Sequence, residues 1–252
     1  LAEVHRVCNQ HDITHIVHLA AESHVDNSIL NPRAFIDTNV LGTYNLLQVA
    51  KQNGLRFHHV STDEVYGELG ETGKFNENTA YDPRNPYSAS KASSDFLVMA
   101  YYHTYGLEVT ISNCSNNYGP RQHQEKFIPT VISCILNGKK IPLYGTGTNI
   151  RDWIYVKDHC IGIWDVLTSG VIGETYCIGS NCEKRNIDII HTICSTMGVT
   201  PEESIEYVED RLGHDFRYAI DSAKITENLS WRPRTSFEDG IEMTIRWYNE
   251  KN

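Results

Sequence analysis

Two carboxylates, Asp63 and Glu64, stand side by side in "VSTDEVYG". They follow residues 57–62, a short and largely apolar run of the kind that forms a buried strand, so the pair falls at a strand end. Adjacent like charges at such a point cost electrostatic and desolvation energy. In a poorly hydrated cleft the same repulsion raises the pKa of one carboxyl, leaving a proton donor beside a proton acceptor. The two can share one proton, and then their titration belongs to the pair. The plain structural alternative is an N-cap followed by a solvated carboxylate.

A second chemistry-bearing pair is Tyr87 and Lys91 in "YSASK". Positions i and i+4 share a helix face, which brings the ammonium toward the phenol. A free phenol titrates near 10 and is a poor base at neutral pH. Lowering it by about three units takes roughly 4 kcal/mol. One cation at ~4 Å supplies about that much at an effective dielectric of ~20. A phenolate so formed can take a proton from a hydroxyl undergoing oxidation. Without a supporting context, the spacing is equally that of a chance surface pair.

The elements that position these residues can be read from periodicity. "ITHIVHLAA" (13–21), "RFHHVST" (56–62) and "LEVTISN" (107–113) read as buried strands. Between them, 31–54 and 85–106 have helical periodicity, each ending at a glycine. Strand, helix, strand, helix, strand without tight hairpins predicts an α/β fold with a Rossmann-like, doubly wound parallel sheet. Further on come a short helix at 130–140, strand-like runs with glycine turns at 141–156, a helix at 157–170 and a strand at 173–181. The division expected is a partial Rossmann domain over 1–119, with 152–180 returning to it, and a smaller α/β substrate lobe over 120–151 and 181–252. Ligands bind outside the carboxyl ends of the strands in such sheets. Residues 20–24, 62–64 and 113–117 are therefore expected to converge on one crevice.

Composition narrows the class. The 252 residues carry a formal net charge of −10, which argues against a basic nucleic-acid-binding face. A local Arg/Lys cluster can still hold an anionic small ligand. No apolar run approaches the ~20 residues that span a bilayer. Seven cysteines without metal-type spacing read as reduced, mostly buried thiols of a cytoplasmic protein. His11, His15 and His18 in "HDITHIVH" tempt a metal reading, but the odd spacing of His15 and His18 puts them on opposite faces of a strand. No metal site is expected.

The runs "HLAAESHVD", "STDEVYG", "NPYSASKASSD", "NCSNNYGP", "EKFIP", "RDWIYVKDH" and "GHDFRYAID" resemble the extended short-chain dehydrogenase/reductases, and among them the dTDP-glucose 4,6-dehydratases. The motifs occur in order along essentially the whole chain. The resemblance implies NAD as cofactor, dTDP-glucose as substrate and a lyase reaction yielding the 4-keto-6-deoxy sugar, a precursor for rhamnose-type polysaccharides. It makes Tyr87, with Lys91, the base for the C4 hydroxyl during hydride transfer to NAD⁺. Glu64 becomes the base at C5 and Asp63 the acid at C6, with Thr62 on the C4 oxygen. An epimerase needs no such carboxylate pair.

By the same resemblance Ala20, Ala21, Ser23, Asn39 and Asn117 join Tyr87 and Lys91 around the cofactor. Ser23, Thr62, Asn116, Lys126, Phe127, Tyr144, Arg151, Asn186, Arg211 and His214 are implied for the nucleotide sugar. A homodimer through a four-helix interface is implied too, because 31–54 and 87–106 carry apolar residues on more than one face. Asn27, Leu212 and the loop at Arg121 depart from the family pattern. The family's Gly-rich phosphate turn has no counterpart here, and "YGTGTN" (144–149) lies too far downstream to serve. The chain therefore reads as N-terminally truncated by roughly 60–80 residues, with weakened NAD binding expected of the fragment. Two alternatives stand beside this reading: another nucleotide-sugar epimerase or decarboxylase of the superfamily, and a non-catalytic NAD-binding regulatory protein.

Overall fold

The computed structural model describes residues 2–210 and 214–250. Its central sheet has four parallel strands in the order β1 (His15–His18), β2 (Arg56–Thr62), β3 (Val109–Cys114) and β7 (Thr175–Ile178). The register pairs Phe57 with Val109 and Ser61 with Asn113, so the carboxyl ends of β2 and β3 finish level. Parallel neighbours need crossovers, and helices supply them. His15 is exposed and His18 buried, as expected of positions on opposite faces. The chain preceding β1 is helical as α1 (Ala2–Gln10).

The helix expected over 31–54 runs without interruption over Pro32–Asn53, with a π-helical turn inside it, and a short separate helix precedes it. A short helix α2 (Val25–Leu30) comes first; then Pro32 opens α3 (Pro32–Phe35), a π-helical turn covers Ile36–Leu41, and α4 runs Gly42–Asn53. Proline lacks a backbone donor, so it begins a helix rather than continuing one. Gly54 closes α4 in the left-handed region at φ 63°. The second long helix, α5 (Pro86–Tyr105), matches its expected span. Asn85 and Ser88 form a reciprocal capping box, Pro86 occupies the first turn and Gly106 ends the helix at φ 66°.

After β3 the chain builds a second set of layers. The strand β4 (Asn116–Tyr118) pairs parallel with β6 (Ile150–Tyr155), which pairs antiparallel with β8 (Glu183–Arg185). A separate ladder joins β5 (Ile141–Tyr144) to β9 (Ile205–Val208). Helices α6 (Phe127–Leu136), α8 (Asn186–Met197) and α11 (Phe237–Asn249) pack around them; α7 (Val156–Ser169), α9 (Pro201–Ser204) and α10 (Ala223–Leu229) complete the fold.

Two large apolar cores result. One, between α4, α5 and the main sheet, contains Leu47, Phe57, Val98, Val109 and Ile111. The other contains Tyr118, Ile132, Ile141, Trp153, Ile190 and Ile241. Burying each such side chain contributes about 1.5–3 kcal/mol. Gly240 lets α11 close onto this second core, since a Cβ there would meet the Tyr118 hydroxyl at 2.2 Å. All seven cysteines are free thiols; Cys8, Cys177 and Cys194 are buried and Cys160 is exposed. No helix among the described residues is long and apolar enough to cross a membrane.

Candidate active site

The end of β2 fixes the carboxylates. Thr62 is extended (φ −138°, ψ 153°) and caps the 3₁₀ turn Asp63–Tyr66, its Oγ1 accepting from the Glu64 amide at 3.3 Å. The same hydroxyl donates to Asp63 Oδ1 at 3.3 Å. Asp63 is 2 % exposed, and its Oδ2 is buried without a hydrogen-bond partner. Burial is the main force raising the Asp63 carboxyl well above its ordinary range; Glu64 and Asp152 add to it, while Arg151 and the Thr62 bond oppose it. Glu64 is half-buried and lines a cleft of about 300 Å³. Burial thus favours the neutral form of one carboxyl beside a second that lines the cleft.

The Tyr87 phenol is 8 % exposed on the first turn of α5. Burial, then Glu64 and Cys114, push it well up, and a hydrogen bond with Thr62 opposes them. Lys91 is not among the leading influences on this phenol in the protein alone. The Lys91 ammonium instead donates to the Val60 carbonyl at 2.8 Å and lies 3.4 Å from His59 Nε2. The i, i+4 spacing puts both side chains on one face, but the carbonyl at the end of β2 draws the amine toward the sheet.

The cleft brings together Ser23, Glu64, Asn116, Lys126, Phe127, Tyr144, Arg151, Asn186 and His214, all singled out from sequence. Lys126, at the start of α6, donates to the Ser23 carbonyl at 2.7 Å and to Ser23 Oγ at 3.0 Å, tying the loop after β1 to the second set of layers. The Arg151 guanidinium stacks 4.2 Å over the ring of Tyr218. It donates to the carbonyls of Ile150 at 2.7 Å and Asp215 at 2.9 Å. Tyr144 packs edge-on to His214 at 6.4 Å, and His214 Nδ1 lies 2.6 Å from Asp210 Oδ1. Phe127 lies against Trp153 at 6.1 Å. Arg211 lies outside the described residues.

Other residues singled out from sequence sit behind the cleft wall. The Asn39 side chain, in the π-helical turn, accepts from the Glu22 amide at 2.8 Å and donates to the Glu22 carbonyl at 2.9 Å and Ser90 Oγ at 2.8 Å. It braces the loop after β1. The Asn117 amide donates to the Ser115 carbonyl at 3.1 Å, and its Oδ1 pairs with His159 Nδ1 at 2.8 Å. Thr62, Asp63, Tyr87 and Lys91 are buried, and Tyr87 lies near Thr62, Asp63 and the cleft-lining Glu64, while Ala20 is exposed and Ala21 half-exposed after β1.

Against known proteins, a family model described as GDP-mannose 4,6 dehydratase matches residues 1–244. The dTDP-glucose 4,6-dehydratase of Salmonella typhimurium is 50% identical over 98% of this chain and 75% of its own length. The chain belongs to the dTDP-glucose 4,6-dehydratase family. An Escherichia coli dTDP-glucose 4,6-dehydratase is 51% identical over 95% of this chain and 73% of its own. The Streptomyces venezuelae enzyme of that name, solved with NAD bound, superposes with a TM-score of 0.96 at 46% identity, covering 99% of this chain and 76% of that one. The Thermus thermophilus UDP-glucose 4-epimerase, also solved with NAD, superposes at 0.93 with 27% identity over 98% of this chain and 81% of its own. Dehydratase and epimerase thus share the scaffold, and the carboxylate pair has to separate them.

Sequence reasoning missed Asn85, Trp153, Asp215 and Tyr218, which also line the cleft of this dehydratase-family chain. The run "GHDFRYAID" held the signal for the last two. Tyr218 stacks on Arg151 and the Asp215 carbonyl accepts from it, and Arg151 is a partner far away in the chain that no local pattern encodes.

Proposed function

We propose that the chain catalyses NAD-dependent dehydration of dTDP-glucose to dTDP-4-keto-6-deoxyglucose. The observation that carries this reading is the buried Asp63, its carboxyl pushed toward the neutral form, next to the cleft-lining Glu64 and near the Tyr87 phenol. The residues present fit the cofactor. Around the carboxyl ends of β2 and β3 and the start of β4, Asp63 Oδ2, Asn113 Oδ1 and Asn116 Oδ1 are buried without hydrogen-bond partners, and Leu19 beyond β1 is 57 % exposed. Ala20, Ala21, Ser23, Tyr87 and Lys91 would hold it, with Asn39 and Asn117 bracing that wall from behind.

NAD held there would supply a hydride acceptor for C4, a hydride donor for C6 and a nicotinamide charge that favours a Tyr87 phenolate. Tyr87 takes the C4 hydroxyl proton, and Thr62 hydrogen-bonds the oxygen left behind. The resulting ketone acidifies the C5 proton, which Glu64 removes and, after exchange with solvent, gives back to C5 as hydride reaches C6. Asp63 gives its proton to the C6 hydroxyl, which leaves as water. A carboxyl kept neutral by burial is suited to that donation. Asn116, Lys126, Phe127, Tyr144, Arg151, Asn186, Arg211 and His214 are assigned to the nucleotide and its diphosphate, where arginine suits forked contacts.

The test is to incubate the enzyme with dTDP-glucose and, separately, with UDP-glucose. A 4-keto-6-deoxy product absorbs in alkali and an epimer does not. Absorbance from the thymidine substrate supports the reading; an epimer instead would sink it.

Three further parts belong to the same reading. Residues 1–119 with 152–180 form the cofactor lobe, and 120–151 with 181–252 form the nucleotide-sugar lobe; hydrogen exchange slowed by NAD in the first set alone would check this division. The protein works as a homodimer through α4 and α5, where Tyr44 is 42 % and Phe96 64 % exposed. Seven free thiols favour a cytoplasmic setting, which reporter-tagged localisation would check.

A further inference from the structure

Tyr87, Lys91 and Asp95 succeed one another at four-residue spacing along α5, forming one buried stripe. Asp95 is 2 % exposed and plays no part in the scheme above. Its Oδ2 accepts from Ser61 Oγ at 2.7 Å and from the Tyr81 hydroxyl at 2.9 Å. Its Oδ1 lies 3.1 Å from His59 Nε2, and that same nitrogen lies 3.4 Å from Lys91 Nζ. His59 is fully buried and sits between an acid and an amine on the neighbouring helix.

An isolated buried ammonium is costly, and a buried carboxylate equally so. Each is tolerable here because the other is close. Resting on the reading that Lys91 serves Tyr87 in the reaction, we propose that Asp95 is a positioning residue: acting across His59, it is the countercharge that keeps the Lys91 ammonium charged and placed for Tyr87. Three elements meet at this point, which makes the arrangement more than a helix-surface pair. Asp95 and Lys91 come from α5, Ser61 and His59 from β2, and Tyr81 from the loop before α5.

The electrostatics agree. Asp95 holds the Lys91 amine up against the burial that pulls it down, and Lys91 is the first influence opposing the burial that raises the Asp95 carboxyl to about 6. The other titratable groups facing this pair are His18 on β1, 5.2 Å from the His59 ring, Cys114 on β3, and Tyr66 in the 3₁₀ turn. Burial drives His18 and His59 toward the neutral form. Asp95 is thus the carboxylate set against the ammonium.

The test is a double-mutant cycle on kcat and its pH profile. Asp95→Asn keeps the shape and removes the charge. It is expected to lower kcat about tenfold with the dTDP-glucose KM nearly unchanged, and to move the basic limb of the kcat profile about one pH unit down, because the amine then loses its proton sooner. In a Lys91→Met background, Asp95→Asn should cost no further activity and should raise Tm above that of Lys91→Met alone, since a stranded carboxylate has been neutralised. Tyr81→Phe removes one hydrogen bond and leaves the charge; it is expected to move the same limb in the same direction by less. Unchanged kcat and limb in Asp95→Asn, multiplicative losses in the cycle, or a Tyr81→Phe that lowers Tm without moving the limb would each overturn the proposal. Absence of turnover in the unmutated enzyme would instead count against the dehydratase reading itself.

Discussion

Asp63 and Glu64 are neighbours in the chain yet meet different surroundings: Asp63 is 2 % exposed and does not line the cleft, and Glu64 does. The 3₁₀ turn capped by Thr62 produces this split, because it sends successive side chains to different sides of one short loop. The split gives each carboxyl its task. Asp63→Asn cannot supply the C6 proton, and overall turnover is expected to fall by about 10²–10⁴. C4 oxidation survives, so bound NADH should accumulate and be visible by its absorbance. Glu64→Gln is expected to lose as much turnover and also to lose proton exchange at C5.

The Asp63 proton also makes a statement about stability. Its folded pKa lies above the unfolded value of about 3.9, so the folded chain keeps a proton that the unfolded chain has released. That contribution is fully present below about pH 3.9 and is lost as pH rises through the folded value. Asp63→Asn has no such loss. Its urea midpoint relative to the unmutated protein is expected to be higher at pH 8 than at pH 5; an equal difference at the two pH values would contradict a protonated Asp63.

Arg151 is held by stacking on Tyr218 and by three backbone carbonyls. Lysine keeps the charge but not the planar fork. Arg151→Lys is expected to raise the dTDP-glucose KM about tenfold or more, the equivalent of roughly 1.5–3 kcal/mol, with a smaller effect on kcat. Steady-state kinetics and direct binding of dTDP would measure the split.

The exposed apolar face of α5 has its own test. Phe96, 64 % exposed beside Tyr81 at 5.3 Å, is expected to be covered by a second copy. Phe96→Glu should sediment as a monomer at concentrations where the unmutated protein is a dimer. A sedimentation coefficient unchanged by this substitution would remove the four-helix interface.

Much of this was legible before any coordinates, for identifiable reasons. The buried strands 56–62 and 107–113 and the capped helix beginning at Asn85 are local signals, and they emerged within a residue or two of their expected ends. The π-helical turn at Ile36–Leu41 and the short helix Val25–Leu30 left no mark in the apolar periodicity. Asp63, Glu64, Tyr87 and Lys91 were readable from type and spacing. The direction in which Lys91 points was not, since the Val60 carbonyl that draws it belongs to another element. For the same reason Asp95 escaped notice: its partners Ser61 and Tyr81 reach it only after the sheet and the loop have folded together.

The most direct measurement of the elimination scheme is the reaction of dTDP-glucose in deuterated water, with the product read by NMR. Deuterium at C5 of a 4-keto-6-deoxy sugar is expected, with the hydrogen delivered to C6 originating from C4 of the substrate. A product lacking deuterium at C5, or a sugar altered at C4 alone, would contradict Glu64 and Asp63 acting as base and acid.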